Sequence, residues 1–187
     1  MSIKFVVLGY LSWKPMTGYD IKKIIADSET LPWTANNNQI YRALVDLHKD
    51  SWVTKTIENQ VGAPDRHVYA ITDMGRQALG EWVKSEPEPP QIKKPFLNQL
   101  MWADSLSVQE MDEILAAYLN AVGEKLFFLR VQADEKPNMP ERTPREKYLW
   151  DMIYKNWINQ FELELSWIRQ MRQELQEMEA ARKWMKG

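Results

Sequence analysis

The sequence predicts a mainly α-helical chain with one small β-hairpin, divided into a compact N-terminal domain and a long-helical C-terminal domain. Three observations carry that prediction. Residues 36–50 form an amphipathic segment with an amide-rich start. Two β-branched and aromatic runs, 52–57 and 68–71, flank a turn-forming Gly62-Ala63-Pro64-Asp65-Arg66. The stretch from Thr143 to Trp184 has no glycine, and no proline after Pro144.

The elements follow in order. Ile3 to Leu11 is a short apolar helix, closed by Lys14-Pro15. Thr17 is an N-cap with Asp20 at the N3 position, a weaker variant of the capping box, and opens a helix over about Gly18 to Ser28 on Ile21, Ile24 and Ile25. The third helix runs from Asn36 to Asp50. At 100° per residue Ile40, Ala43, Leu44 and Leu47 share one face, the pattern of a buried stripe. Asn38, Arg42 and Lys49 fall opposite, with Gln39, Tyr41 and Asp46 on the flanks. Asn36 and Asn37 stand where a short polar side chain caps the first amides. Four consecutive amides do not serve helix propensity. They do offer paired donors and acceptors to a base edge, as Arg does to guanine or phosphate. Taken alone, the segment is a capped, solvated surface helix; its neighbours change the reading.

Those neighbours are the hairpin of 52–57 and 68–71 and a fourth helix opening at Thr72-Asp73-Met74-Gly75, with Ala78, Leu79, Trp82 and Val83 as its apolar positions. Three helices, a hairpin and a further helix make a winged helix-turn-helix. Its third helix enters the major groove, and its hairpin tip reaches the backbone or minor groove.

Four short runs then carry a family resemblance: Leu8-Gly9-Tyr10-Leu11, the Pro-Met-Thr-Gly-Tyr-Asp-Ile-Lys of 15–22, the Gln-Ile-Tyr-Arg-Ala-Leu of 39–44, and Gly62-x-Pro64 followed by Tyr69-x-Ile71-Thr72. In joint order and spacing the first 84 residues resemble the PadR-like transcriptional regulators. The resemblance implies a DNA-binding protein, a repressor acting as a homodimer on a palindromic operator. It implies that Asn36, Asn37, Asn38, Gln39, Tyr41 and Arg42 lie at the groove, with Arg66 and His67 on the wing. Asn38 stands where Gly or Ser is common, which bears on the operator sequence. Ala63 replaces a frequent basic residue after the wing glycine, which implies a weaker phosphate contact.

Composition sets bounds. A chain of 187 residues can bury a sizeable core, and two small domains fit it better than one. The absence of cysteine argues against a disulfide-stapled secreted protein and fits a cytoplasmic one. No apolar run is long enough to span a bilayer. The Phe5 to Trp13 stretch is broken by Gly and Ser and lacks a cleavage site, so it reads as core and not as a signal peptide. Residues 1–84 carry ten Lys and Arg against nine Asp and Glu, and the remainder fourteen against seventeen. That asymmetry is small for a nucleic-acid binder. A dimer presents Lys14, Lys22, Lys23, Arg42, Lys55 and Arg66 twice, so affinity is expected to fall with salt.

Domains are expected over 1–84 and 96–187, joined by a Pro-rich linker over 85–95. Residues 96–102 suggest a short helix. Ser107-Val-Gln-Glu110 is a capping box opening a helix on Met111, Ile114, Leu115, Tyr118, Leu119, Val122, Leu126 and Leu129, which stops before Pro137; 138–140 is loop. Thr143-Pro144-Arg145-Glu146 is another capping box, opening one helix of about forty residues and about 60 Å. Its stripe of Trp150, Ile153, Trp157, Phe161, Leu165, Ile168, Leu175 and Met178 is widened by Leu149, Met152, Ile158, Leu163 and Trp167. One companion helix cannot cover so broad a face. Trp150, Ile153, Trp157, Phe161, Leu165 and Ile168 are therefore expected at a dimer interface. Long C-terminal helices dimerise the virulence-activator branch that this half resembles through Glu164-Leu165-x-Trp167.

The same resemblance implies a small aromatic or hydrophobic effector, for which Trp102, Trp150 and Trp157 are candidate lining residues; large aromatics also simply fill cores. The two histidines, His48 and His67, have no metal-ligand spacing around them, and no phosphate loop or activated nucleophile is recognisable. Glu162 and Glu164 read as solvated charge. No enzyme, metal or cofactor is expected. The expected function is a homodimeric, sequence-specific transcriptional regulator. A winged-helix module that binds protein and not DNA is the alternative, supported by the near-neutral first domain.

Overall fold

The computed structural model describes residues 3–27, 37–59, 65–90, 93–135 and 142–184. The chain divides into two compact units, Met1–Pro90 and Gln91–Gly187, a division that falls inside the Pro-rich segment.

The first unit begins with α1 (Ile3–Leu11), which buries Val7, Leu8, Tyr10 and Leu11. After it come β1 (Met16–Thr17), α2 (Gly18–Ala26), α3 (Asn37–Lys49), β2 (Val53–Glu58), β3 (Arg66–Ile71) and α4 (Asp73–Lys84). The sheet holds three strands and not the predicted two. Met16 and Thr17 pair antiparallel with Tyr69 and Val68, giving the order β1-β3-β2. Two residues carry no period, so this strand has no signature in sequence. Strands β2 and β3 pair from Val53↔Ile71 to Glu58↔Arg66. The predicted tip at Gly62 to Pro64 lies outside the described residues, as do Asn36, Ser28 and the 138–140 loop.

Local chemistry explains the helix boundaries. Thr17 Oγ1 accepts the Asp20 N–H (3.1 Å), and the Asp20 carboxylate accepts the Thr17 N–H (2.9 Å), a complete capping box. Helix α3 ends in a Schellman motif: Trp52 N–H donates to the Leu47 carbonyl and Ser51 N–H to that of His48. Ser51 accordingly takes the left-handed conformation, φ 59°. Thr72 caps α4 through the Gly75 N–H (3.1 Å) and donates its hydroxyl to the Ser51 carbonyl (2.8 Å). Gly75 is required by close approach, since a Cβ there would stand 2.2 Å from the Trp52 carbonyl oxygen.

The core of this unit joins α1, α2, α3 and the sheet through Leu8, Leu11, Ile21, Ile40, Leu44, Leu47 and Val53, all essentially inaccessible to solvent. Helix α4 meets it at the edge, where Trp82 stacks on Phe5 (5.0 Å between centroids) and Leu79 packs beside it. Val83, named among the apolar positions of this helix, lies beyond that strip and is exposed.

The second unit contains α5 (Pro95–Leu100), a single 3-10 turn (Ala103–Ser105), α6 (Val108–Glu135) and α7 (Pro144–Trp184). Helix α7 has 41 residues. Asp112 binds Arg172 in a two-pronged pair (2.7 and 2.8 Å), and Arg130 reaches Glu162 (2.6 Å), so α6 and α7 run antiparallel. Between them Leu115, Val122, Leu126, Leu165 and Ile168 are buried, and Phe96 of α5 joins the same cluster. Met178, the last residue of the predicted stripe, is exposed. Ser107 forms its predicted capping box with Glu110. At α7, Thr143 accepts the Glu146 N–H as predicted (3.0 Å), but the Glu146 carboxylate takes the N–H and guanidinium of Arg142, one residue before the predicted partner.

Candidate nucleic-acid interface

Helix α3 presents two chemically distinct sides. Ile40, Ala43, Leu44 and Leu47 are 0–2% exposed and lock the helix to the core. Asn38, Gln39, Tyr41, Arg42, Val45 and Asp46 are exposed on the other side. A polar face held this way undergoes little reorganisation on meeting a ligand. Asn37 opens the helix; its side chain lies outside the described residues, like the whole of Asn36.

Helix α2 approaches α3 closely at Gly18. A Cβ there would stand 2.6 Å from Tyr41 Cε1 and 3.2 Å from Leu44 Cδ1. The glycine lets the start of α2 seat against the tyrosine ring, which fixes one flank of the outward face. Tyr69 of β3 is also close: burial pushes its phenol up, and the Tyr41 hydroxyl adds to the shift.

The wing is anchored by charge. The Arg66 guanidinium donates to the Asp20 carboxylate at the start of α2 (3.2 Å). Burial works to raise the Asp20 carboxyl, yet the Thr17 hydrogen bonds and Arg66 together hold it below the usual carboxylate range. Arg66 is thus partly committed within the fold, with about half of its side chain open to solvent. His67 is exposed beside it, opposite Ile57 of β2. Of the two histidines, His48 shares its Nδ1 with the Val53 carbonyl (3.1 Å), a structural contact between α3 and β2.

Val45 is missing from the predicted outward set, although the helical wheel contains it. Relative to Asn38 it lies at 340°, between Asn38 and Tyr41 and nearly opposite Leu47. Selecting only polar residues for that face passed over it.

The second unit changes two sequence assignments. Leu165 and Ile168, expected at a subunit interface, are 6% and 0% exposed inside the α6–α7 pairing, so their apolar surface is used within the chain. The remaining four are less covered: Trp150, Trp157 and Phe161 are half-buried and Ile153 is exposed. On the α7 side away from the covered stripe, Tyr148, Leu149, Met152, Ile153 and Leu163 are all exposed. Trp102, a candidate effector residue, is 80% exposed, whereas Trp150 and Trp157 lie two turns apart along α7.

Glu164, expected to be solvated, is 8% exposed. It accepts the Tyr118 hydroxyl (3.0 Å) and pairs with the Lys94 ammonium, while Tyr118 stacks on Phe96 (3.8 Å). Burial and the neighbouring Glu164 carboxylate push the Tyr118 phenol up to about 12. The contact is structural: it ties the entry to α5 onto both long helices. Among the described residues no group of His, Asp or Glu is arranged to hold a metal, and no helix is long and apolar enough to cross a membrane.

The model of the PadR-like transcriptional regulator family matches residues 7–81, from α1 through most of α4. The negative transcriptional regulator PadR of Bacillus subtilis is 28% identical over 125 residues, covering 66% of this chain and 69% of that protein. A Mycobacterium tuberculosis protein named as the regulator Rv1176c is 37% identical over 90 residues, and the chain spans 47% of its length. Two crystal structures of the Bacillus subtilis protein share the fold. One, in complex with operator DNA, superposes with a TM-score of 0.78 at 23% identity, covering 92% of this chain and 98% of that one. The other, in complex with p-coumaric acid, gives a TM-score of 0.72 at 23% identity, covering 93% and 98%. Over the winged helix, residues 7–81, this chain is therefore similar to the PadR-like transcriptional regulators.

Proposed function

We propose that the protein is a sequence-specific DNA-binding repressor, acting as a homodimer on a palindromic operator. The observation that carries this reading is the two-sided α3, with four core residues anchoring it and Asn38, Gln39, Tyr41 and Arg42 exposed to solvent on the other side. Amides and guanidinium are the groups that discriminate base edges in the major groove. Asn36 and Asn37 belong to the same reading surface, and Arg66 and His67 serve the wing. The name and operator complex of the Bacillus subtilis relative support the repressor role.

Dimerisation is carried by the second unit, residues 96–187, through Ile153 joined by Tyr148, Leu149, Met152 and Leu163 on the uncovered side of α7. Five large apolar side chains exposed along one side of α7 are more than a solvated helix requires. Two-fold symmetry then presents α3 twice, which matches a two-fold operator. A small aromatic acid or similar apolar molecule is the proposed effector, by analogy with the p-coumaric acid complex, with Trp102, Trp150 and Trp157 as candidate contacts. Release follows if the effector prefers a subunit spacing that does not fit the operator.

The test is a gel shift at several salt concentrations, on the DNA upstream of the protein's own gene and on fragments selected from genomic DNA. A specific complex that weakens steeply with salt is expected. Arg42→Ala should lose operator affinity while its circular dichroism spectrum and oligomeric state stay unchanged, because the residue lies on the exposed side. No specific complex with any fragment would overturn the reading in favour of a protein-binding module.

A further inference from the structure

Val45 is the unexplained residue of α3. It is 62% exposed on a helix whose other aliphatic residues, Ile40, Ala43, Leu44 and Leu47, are buried. A single exposed aliphatic residue is ordinary by itself. Its position is not. It lies nearly opposite Leu47, at the centre of the outward face, and shares an open hollow of about 300 Å³ with Tyr41, Arg42 and Asp46.

Each wall of that hollow limits what fits. Valine offers nothing to a phosphate, and the Asp46 carboxylate beside it repels one. A carboxylate accepts well from the amino group of cytosine, and Arg42 suits guanine. Arg42 would also take a phosphate, but Val45 and Asp46 favour base edges over the backbone. The apolar group that base edges present in the major groove is the thymine C5-methyl. We propose that Val45, one turn of α3 after Arg42, is a specificity-determining residue that packs against a thymine methyl in each half-site, close to the base contacted by Arg42. This rests on the reading of α3 as the groove-entering helix.

The experiment uses the full-length protein and operator fragments selected from random-sequence DNA. Each thymine of a half-site is replaced in turn by deoxyuridine, which removes only the methyl group. One position per half-site should weaken wild-type binding by about fourfold, the effect of burying one methyl-sized group. Val45→Ala should bind more weakly and lose that dependence, thymine and deoxyuridine operators becoming equivalent. Val45→Thr, which keeps a methyl at the same branch, should retain it. Circular dichroism melting checks that both variants are folded, as an exposed position requires. If wild type shows no deoxyuridine-sensitive position, or Val45→Ala keeps the full sensitivity, the assignment is overturned while α3 reading, tested by Arg42→Ala, stands. If no specific fragment is selected, both fall together.

Discussion

Glu164 shows how one residue's role depends on what packs over it. On the α7 surface it would be a solvated carboxylate; under α5 and α6 it becomes the shared partner of Lys94 and Tyr118. Removing it leaves a phenol and an ammonium without their acceptor. Glu164→Ala is therefore expected to destabilise the protein by about 1 kcal/mol, the net worth of its hydrogen bond to half-buried Tyr118, since Lys94 stays partly open to water. Urea unfolding measures this, and an unchanged midpoint would refute the structural role. Asp20 gives a pH-dependent counterpart. Its carboxyl is held below the ordinary value of 3.8, so the charged form stabilises the fold. That contribution is complete above 3.8 and is lost as pH falls through the lowered value. Asp20→Asn should melt below wild type at pH 5, and the gap should narrow as pH drops below 3.8. A gap of constant size would contradict the assignment.

Among the elements, the turn from α3 into β2 sets where α3 ends and the hairpin begins. Ser51 sits at its left-handed position, a conformation that a side chain disfavours and glycine tolerates. The Ser51 groups in use there are backbone, an N–H that donates to the His48 carbonyl and a carbonyl that accepts from Thr72, and both survive substitution. Ser51→Gly should raise stability by up to about 1 kcal/mol, visible as a higher melting temperature with DNA binding retained. A lower melting temperature would mean that the serine side chain has a contact of its own. Gly18 and Gly75 make the opposite case. There the absence of a side chain lets α2 approach Tyr41 and α4 approach the Trp52 carbonyl.

The whole molecule depends on how α7 is covered. Helix α6 and Phe96 take up Leu165 and Ile168, but Tyr148, Leu149, Met152 and Ile153 remain open. A charge at the centre of that side should prevent a second subunit from docking without disturbing the chain's own core. Met152→Asp is expected to sediment as a monomer at micromolar concentration where wild type sediments as a dimer. Its operator affinity should fall with it, because one half-site alone carries half of the contacts. A dimeric Met152→Asp would place the interface elsewhere, and a monomeric wild type would remove it.

Most helices, the wing strands, both complete capping boxes and the inward stripe of α3 were legible in the sequence, because each depends on residues a few positions apart. Ile40, Ala43, Leu44 and Leu47 announce their burial by period alone. Strand β1, the burial of Glu164, the exposure of Val83 and the withdrawal of Leu165 and Ile168 into the chain were decided by tertiary structure. Each depends on a partner distant in the chain: Tyr69 for Met16, Lys94 and Tyr118 for Glu164, α6 for the α7 stripe. Periodicity states which side of a helix is apolar. Which neighbour covers that side, and how far along it reaches, is decided only when the elements pack.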